Sequence, residues 1–407
     1  MKTKIIKGTN QIGGCITEIS TENSRIIIDF GEDLIEDKEK EIVIIPGLND
    51  GKESLYDAVF ITHSHGDHIG LVNTINKDIL VYVEETSKEI HNLTCAFVFD
   101  MESITRETKS FKFGEKIIVG DIEVTPYIVD HSAYNSCMFL IESNGKRILH
   151  TGDYRSHGKK GKLFLENIKT IGSNIDLLIT EGTVFGRNDE EYMTEDMLVE
   201  DIFNKVKKYK QVLVMQSSTN IDRVVTMMKV ANKMKIPMIQ DLFTSVICSN
   251  IANNIPNPKT YNGVYTWTNS KYYNKEKYKM YVEKFSKYRN YDYKNGYLML
   301  VKGSMYSDIK RKLYDMGYLD NACVVYSMWS GYLEQDYTKK FIDYLKSLGV
   351  DFIYAHTSGH SDIMTMRKVN ELLKPKKTLV IHTENKVKAK EVFDNCLFIE
   401  DNMEVEI

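Results

Sequence analysis

Hydrophobic residues in the first half of the chain gather in short β-branched runs divided by turns. Cys15–Ser20 alternates apolar and polar positions, and Arg25–Phe30 is an isoleucine run closed by Asp29-Phe30-Gly31, so both predict strands. Asp57–Thr62 (DAVFIT) and Ile79–Val83 read as buried strands, the second followed by a helix from Thr86. Further strands are predicted at Lys116–Val119, Ile122–Tyr127, Met138–Ile141 and Arg147–Thr151. After Glu181 the texture changes. Gln211–Gln216 is a strand, and Ile221–Met234 carries apolar residues at 221, 224, 225 and 228, the spacing of an amphipathic helix, with Asn220 at its N-cap. Ile236–Ile239 completes a βαβ unit, and Val324–Tyr326 and Phe352–Tyr354 continue in the same style. The chain closes with a helix near Ile363–Leu373, a strand at Thr378–Ile381, another helix and a short last strand. The fold class is α/β, with sheets inside and helices outside.

Composition narrows this picture. A length of 407 residues allows two or three domains, and 42% apolar with 27% charged residues is an ordinary globular mixture. A net charge of −4 excludes a protein held to nucleic acid by bulk charge and leaves a local basic groove open. The longer apolar runs, such as Ile79–Val83 and Cys95–Phe99, fall far short of the ~20 residues that span a bilayer, so no membrane partner is expected. The opening MKTKIIKGTN lacks the apolar core of a secretory signal, and the six cysteines form no CxxC pair. A cytoplasmic protein without a disulfide framework or thiolate zinc site follows.

The chemistry starts at Thr62-His63-Ser64-His65-Gly66-Asp67-His68. Four potential metal ligands stand directly after a buried strand, with His63 and His65 alternating off its end and Asp67 and His68 on the following turn. Imidazole with carboxylate suits zinc, or manganese where oxygen donors dominate. More ligands lie where later strands end: His131 in Asp130-His131-Ser132, and Asp153 after the Thr151-Gly152 turn, placed to bridge two ions.

Taken with these, the order of motifs resembles the metallo-β-lactamase superfamily and, more narrowly, its β-CASP nucleases. His63, His65, Asp67 and His68 match the HxHxDH motif, and His131 and Asp153 the next two metal motifs. Glu181 in ITEGT matches motif A, His360 in HTSGHSD motif B, and His382 in VIHTEN motif C. The resemblance covers essentially the whole chain. QIGG, IIIDFG, STNIDR and HTSGH are most similar to bacterial ribonuclease J, without its C-terminal domain, since 25 residues follow His382. It implies an αββα metallo-β-lactamase domain from residues 1–185 and 350–407, with residues 186–349 inserted as a β-CASP domain and the site in the cleft between the two. It also implies a metallo-hydrolase, exonuclease or endonuclease, that cuts single-stranded RNA with a hydroxide bridging two zinc ions, manganese being the alternative.

The resemblance assigns roles as well. His63, His65, His131 and Asp153 would hold one ion, and Asp67, His68, Asp153 and His382 the other. Asp67 would also orient the nucleophile. His360, fixed by Glu181, would bind the scissile phosphate and protonate the leaving oxygen, with Ser358 and Gly359 offering phosphate donors at the N-terminus of the 363–373 helix, and Asp29 would support the ligands from behind. An RNA partner is favoured over DNA because His382 is typical of RNA-processing members, and the oligomeric state stays open, a dimer included. Competing readings are a DNA nuclease, another ester hydrolase on the same scaffold, and a catalytically silent RNA-binding paralogue. Residues 261–320 hold 13 of the 25 tyrosines and many lysines. That composition suits either a single-stranded RNA groove or a compositional bias on a solvated face. His356 is open between orienting His360, touching phosphate and an ordinary loop role, while Cys137 reads as a small core residue.

Overall fold

A computed structural model describes residues 1–34, 43–187, 191–273 and 275–407. Two compact units divide them: residues 1–192 with 359–407, and residues 193–358.

The first unit is built on two mixed sheets. One runs in the order Glu404–Glu406, Lys2–Lys7, Ile16–Ser20, Arg25–Ile28, Ala58–Phe60, Leu80–Tyr82. The other runs Cys396–Leu397, Lys377–Ile381, Leu177–Glu181, Lys146–His150, Cys137–Ser143, Ile122–Ile128, Ile117–Val119. Successive side chains on a strand point to opposite faces, so an unbroken apolar run is buried on both. In Arg25–Ile28 this is explicit. Ile26 and Ile28 join Phe60, Phe139, Ile148, Ile179 and Ile381 between the sheets, whereas Ile27 joins Val59, Leu48, Ile69 and Val72 on the outer side. On the far sheet Leu178 and Val380 face outward against Phe164 and Ile168 of the helix Gly161–Ile171 and Met366 and Val369 of the helix Ile363–Leu373. The result is a four-layer αββα sandwich.

The second unit carries one parallel six-stranded sheet, ordered Val264–Trp267, Met238–Asp241, Tyr297–Leu300, Gln211–Met215, Ala322–Tyr326, Asp351–Tyr354. Asn220 caps the helix Ile221–Met234 by accepting from the Arg223 amide, as its position predicts. The following strand starts at Met238, later than Ile236, because Lys235 and Ile236 are still engaged in closing the helix. The helix expected after Thr378–Ile381 is only the 3₁₀ segment Lys386–Glu391, whose single buried residue, Ala389, gives no apolar stripe to hold an α-helix.

Residues 261–320 contribute two of this sheet's strands and the helix Glu276–Phe285. Several of their tyrosines pack: Tyr272, Tyr278 and Tyr297 are buried, and Tyr293 meets Trp267 edge-on at 5.7 Å and stacks near Tyr318 at 5.9 Å. Part of the tyrosine excess therefore packs within this unit, while Tyr273, Tyr306 and Tyr314 are exposed.

Candidate metal centre

The HSHGDH segment leaves the strand Ala58–Phe60 and is pinned by backbone bonds before any side chain is considered. Phe30 N–H donates to His68 O at 2.8 Å, Glu32 N–H to Gly66 O at 3.0 Å and Cys15 N–H to Asp67 O at 3.2 Å. Asp67 and His68 sit on the short helix Gly66–Ile69. Asp29 and His382 both adopt left-handed backbone, φ 61° and 53°. That conformation is costly for residues other than glycine and persists only where surroundings enforce it.

Nearly every imidazole is held from behind. His68 Nδ1–H donates to Asp29 at 2.8 Å, and Asp29 also accepts from the Thr62 amide and hydroxyl at 2.7 and 2.8 Å. His63 Nδ1 lies 2.9 Å from the Thr62 hydroxyl, His131 Nδ1 2.7 Å from the Gly359 carbonyl, and His382 Nδ1 2.8 Å from the Thr183 hydroxyl. Acceptors at Nδ1 fix the tautomer and leave Nε2 for the centre, as ligand histidines require. His65 turns the other way, with Nδ1 3.2 Å from His63 Nε2 and 3.3 Å from His131 Nε2.

Asp153 stands in the middle. Its Oδ2 lies 3.4 Å from His68 Nε2, 3.7 Å from His382 Nε2, 3.9 Å from His63 Nε2 and 4.0 Å from His131 Nε2. Asp67 Oδ2 is 3.3 Å from His382 Nε2 and 3.6 Å from His68 Nε2. Two donor sets emerge, His63/His65/His131 and Asp67/His68/His382, with Asp153 beside both. Six of these residues stand out in the sequence by spacing or by their place at strand ends, and His382 through the resemblance alone.

The electrostatics favour a cation there. Burial pulls the His63 and His131 imidazoles well below their ordinary range and His65 down to about 4, which keeps them neutral as ligands must be. Burial also pulls on His68 and His382, but the Asp153 and Asp67 carboxylates outweigh it and raise both. Conversely burial disfavours the charge on Asp67 and Asp153, yet the neighbouring imidazoles hold both carboxyls below the usual range. Protons on His68 and His382 thus stand where metal charge would serve. His68 Nε2 is buried with no hydrogen-bond partner, an orphan that a metal ion would satisfy. The residues fit a pair of ions.

His360 adjoins both sets, and with Asp153, Glu181 and His382 it forms a further group whose ligand atoms lie within 4.8 Å of one another. Its Nδ1 is 3.1 Å from Glu181 Oε2, 3.4 Å from the Thr183 hydroxyl and 3.6 Å from Asp153 Oδ2, and its side chain is 22% exposed against 3% for Asp153. Glu181 Oε1 accepts from the Tyr154 amide at 2.9 Å and the Ser361 amide at 3.4 Å, which fixes the carboxylate in turn. The expected phosphate donors fare differently. Gly359 uses its carbonyl on His131, and Ser358 is the last residue of the second unit. The terminus of the 363–373 helix is already taken by Asp362, whose carboxylate accepts from Thr365 N–H at 2.7 Å, so a negative group stands where an anion was expected. His356 accepts from the buried Arg223 guanidinium at 3.3 Å, a packing role inside the second unit. Thr62 and Thr183 were not legible in the sequence, where lone threonines carry no signal. Only the fold sets their hydroxyls against histidine nitrogens.

Comparison with known proteins agrees with this geometry. A family model described as Beta-lactamase superfamily domain matches residues 24–214. Ribonuclease J of Helicobacter pylori (strain ATCC 700392 / 26695) is 27% identical over 162 residues, 38% of this chain and 23% of that protein. The transcription termination factor FttA of Pyrococcus horikoshii is 24% identical over 236 residues, 51% of this chain and 36% of that one. An RNase J-like protein of Methanocaldococcus jannaschii is 24% identical over 233 residues, 51% and 49% of the two chains. The matched region therefore spans less than half of each of these relatives. The crystal structure of a protein of unknown function from Enterococcus faecalis V583 superposes with a TM-score of 0.76 at 19% identity over 99% of both chains, a likeness of fold alone. Residues 24–214 thus carry a Beta-lactamase superfamily domain, and the chain as a whole is similar to ribonuclease J, FttA and RNase J-like proteins.

Proposed function

We propose that the chain is a two-metal phosphodiesterase that cuts single-stranded RNA. The observation that carries this reading is the convergence of His68, His382, His63 and His131 on one oxygen of Asp153, with the His360–Glu181 pair alongside. His63, His65, His131 and Asp153 would hold one ion, and Asp67, His68, Asp153 and His382 the other. When bound, such a pair supplies a nucleophile near neutral pH and neutralises charge on the phosphoryl oxygens. Zinc fits the imidazole-rich set and manganese the carboxylates.

The chain's own residues do the rest. Glu181 fixes His360 with a proton on Nδ1, so that Nε2 can bind phosphate and give its proton to the leaving oxygen. Asp67, with His382 at one carboxylate oxygen, can orient the attacking group. The relatives named ribonuclease J support RNA as the substrate. The complete donor set argues against a silent RNA-binding paralogue. The test is incubation of the metal-reconstituted full chain with 5′-labelled single-stranded RNA and DNA carrying 5′-monophosphate or triphosphate. Metal-dependent cleavage of RNA over DNA is expected. Cleavage of neither, with both ions bound, would overturn the reading.

A further inference from the structure

Among the contacts behind the centre, one hydroxyl serves two histidines from separate motifs. Thr183 Oγ1 is 2.8 Å from His382 Nδ1 and 3.4 Å from both His382 O and His360 Nδ1. Thr183 is buried, so water offers no substitute. We propose that Thr183 is a positioning residue that fixes which nitrogen His382 presents to its ion and ties that ligand to the His360 side chain. This rests on the two-metal reading above.

The argument runs through hydrogen-bond capacity. A ligating His382 gives Nε2 to the metal and must carry its proton on Nδ1, which needs an acceptor. Thr183 Oγ1 supplies one at a normal hydrogen-bond distance. Its own hydroxyl proton then turns to His382 O, and its remaining lone pair faces the His360 Nδ1–H, so the oxygen bridges the two rings. His360 Nδ1 keeps Glu181 at 3.1 Å as its shorter contact, so Thr183 is the junction and not the sole support.

The backbone is shaped for this contact. Glu181 ends the strand Leu177–Glu181, which pairs in parallel with Lys377–Ile381, so Thr183 and His382 leave adjacent strand ends. Between them Gly182 permits the approach, because a Cβ there would lie 2.4 Å from Val380 Cγ1 and 3.0 Å from Thr383 Cβ. His382 N–H donates to Gly8 O at 2.8 Å, which holds the left-handed turn while Thr183 sets the ring. Threonine's branched Cβ also restricts χ1 more than serine does, which suits a hydroxyl with a fixed task.

The test compares Thr183→Val, nearly isosteric but without the hydroxyl, with Thr183→Ser, which restores it. Zinc affinity of the full chain is read by chelator competition, with cobalt(II) absorption as a second probe of the ligand geometry. In Thr183→Val the ion at His382 should be lost ~10–100-fold more readily, the usual effect of removing a ligand's hydrogen-bond partner. The other ion, held by His63, His65 and His131, should be unchanged. Thr183→Ser should recover most of the affinity. Two ions held by Thr183→Val with unaltered affinity and an unaltered cobalt spectrum would overturn the inference. So would loosening that Thr183→Ser fails to repair, which would point to packing alone. If the unmodified chain itself binds no ions, the two-metal reading fails instead.

Discussion

Asp153 and His360 lie 3.6 Å apart, yet their surroundings assign them different work. Asp153 is buried and faces four imidazoles that are also candidate ligands, whereas His360 is the more exposed and leans on Glu181. Their truncations should therefore separate. Asp153→Ala should release both ions and abolish measurable hydrolysis, and retention of two ions in that variant would exclude Asp153 as the shared ligand. His360→Ala should keep both ions, counted by ICP-MS, while turnover falls by ~10²–10⁴-fold, the contribution of a positioned general acid. Loss of an ion from His360→Ala would instead make that histidine a ligand. Glu181→Gln should act in the same direction and less strongly, because the imidazole remains.

A loop does at the level of elements what hydroxyls do at the level of residues. The turn entering the Ile363–Leu373 helix sends the Gly359 carbonyl to His131 and His360 to Glu181, so one short segment orients two functional rings. Its approach to Ser132 is tight. A Cβ on residue 359 would lie 2.5 Å from Ser132 Oγ and 2.9 Å from Ser132 Cβ. Gly359→Ala should therefore displace the loop, weaken binding of the ion at His63/His65/His131 and cut activity, with the fold kept as judged by far-UV circular dichroism. Adding Ser132→Gly should restore part of the loss. Full activity in Gly359→Ala alone would show that the carbonyl contact is dispensable.

For the whole molecule, ion binding and stability are linked. Six buried imidazole and carboxylate groups and the half-buried His65 crowd the end of the αββα sandwich, and ions bound only by the folded state stabilise it. At a thousandfold excess over Kd each ion adds about 4 kcal/mol. Stripping with a chelator should lower the calorimetric unfolding midpoint of the first unit by several degrees, reversed by adding zinc back. An unchanged midpoint would mean that the cluster holds no ion in solution. The second unit has its own core around Leu213, Met299, Val324 and Phe341, and within it the fully buried pair Arg223–Glu195 fixes Ser327 and Thr357.

Local pattern was enough for much of this protein. Unbroken β-branched runs such as Arg25–Ile28 specify strands buried on both faces, because the two-residue repeat leaves neither side polar. Four ligand-type residues in six positions mark a candidate metal loop, because no packing need produces them. Asn220 announces its helix through a cap that acts within three residues. What the sequence by itself could not determine is contact between segments far apart along the chain. The Gly359 carbonyl reaches His131 across 228 positions and the Thr183 hydroxyl reaches His382 across 199, and neither glycine nor threonine advertises such a role. The same holds for the tyrosines of 261–320, whose composition fits a single-stranded RNA groove as well as a compositional bias on a solvated face. Only tertiary packing sets Tyr293 against Trp267, because burial belongs to the folded arrangement and not to the residue type.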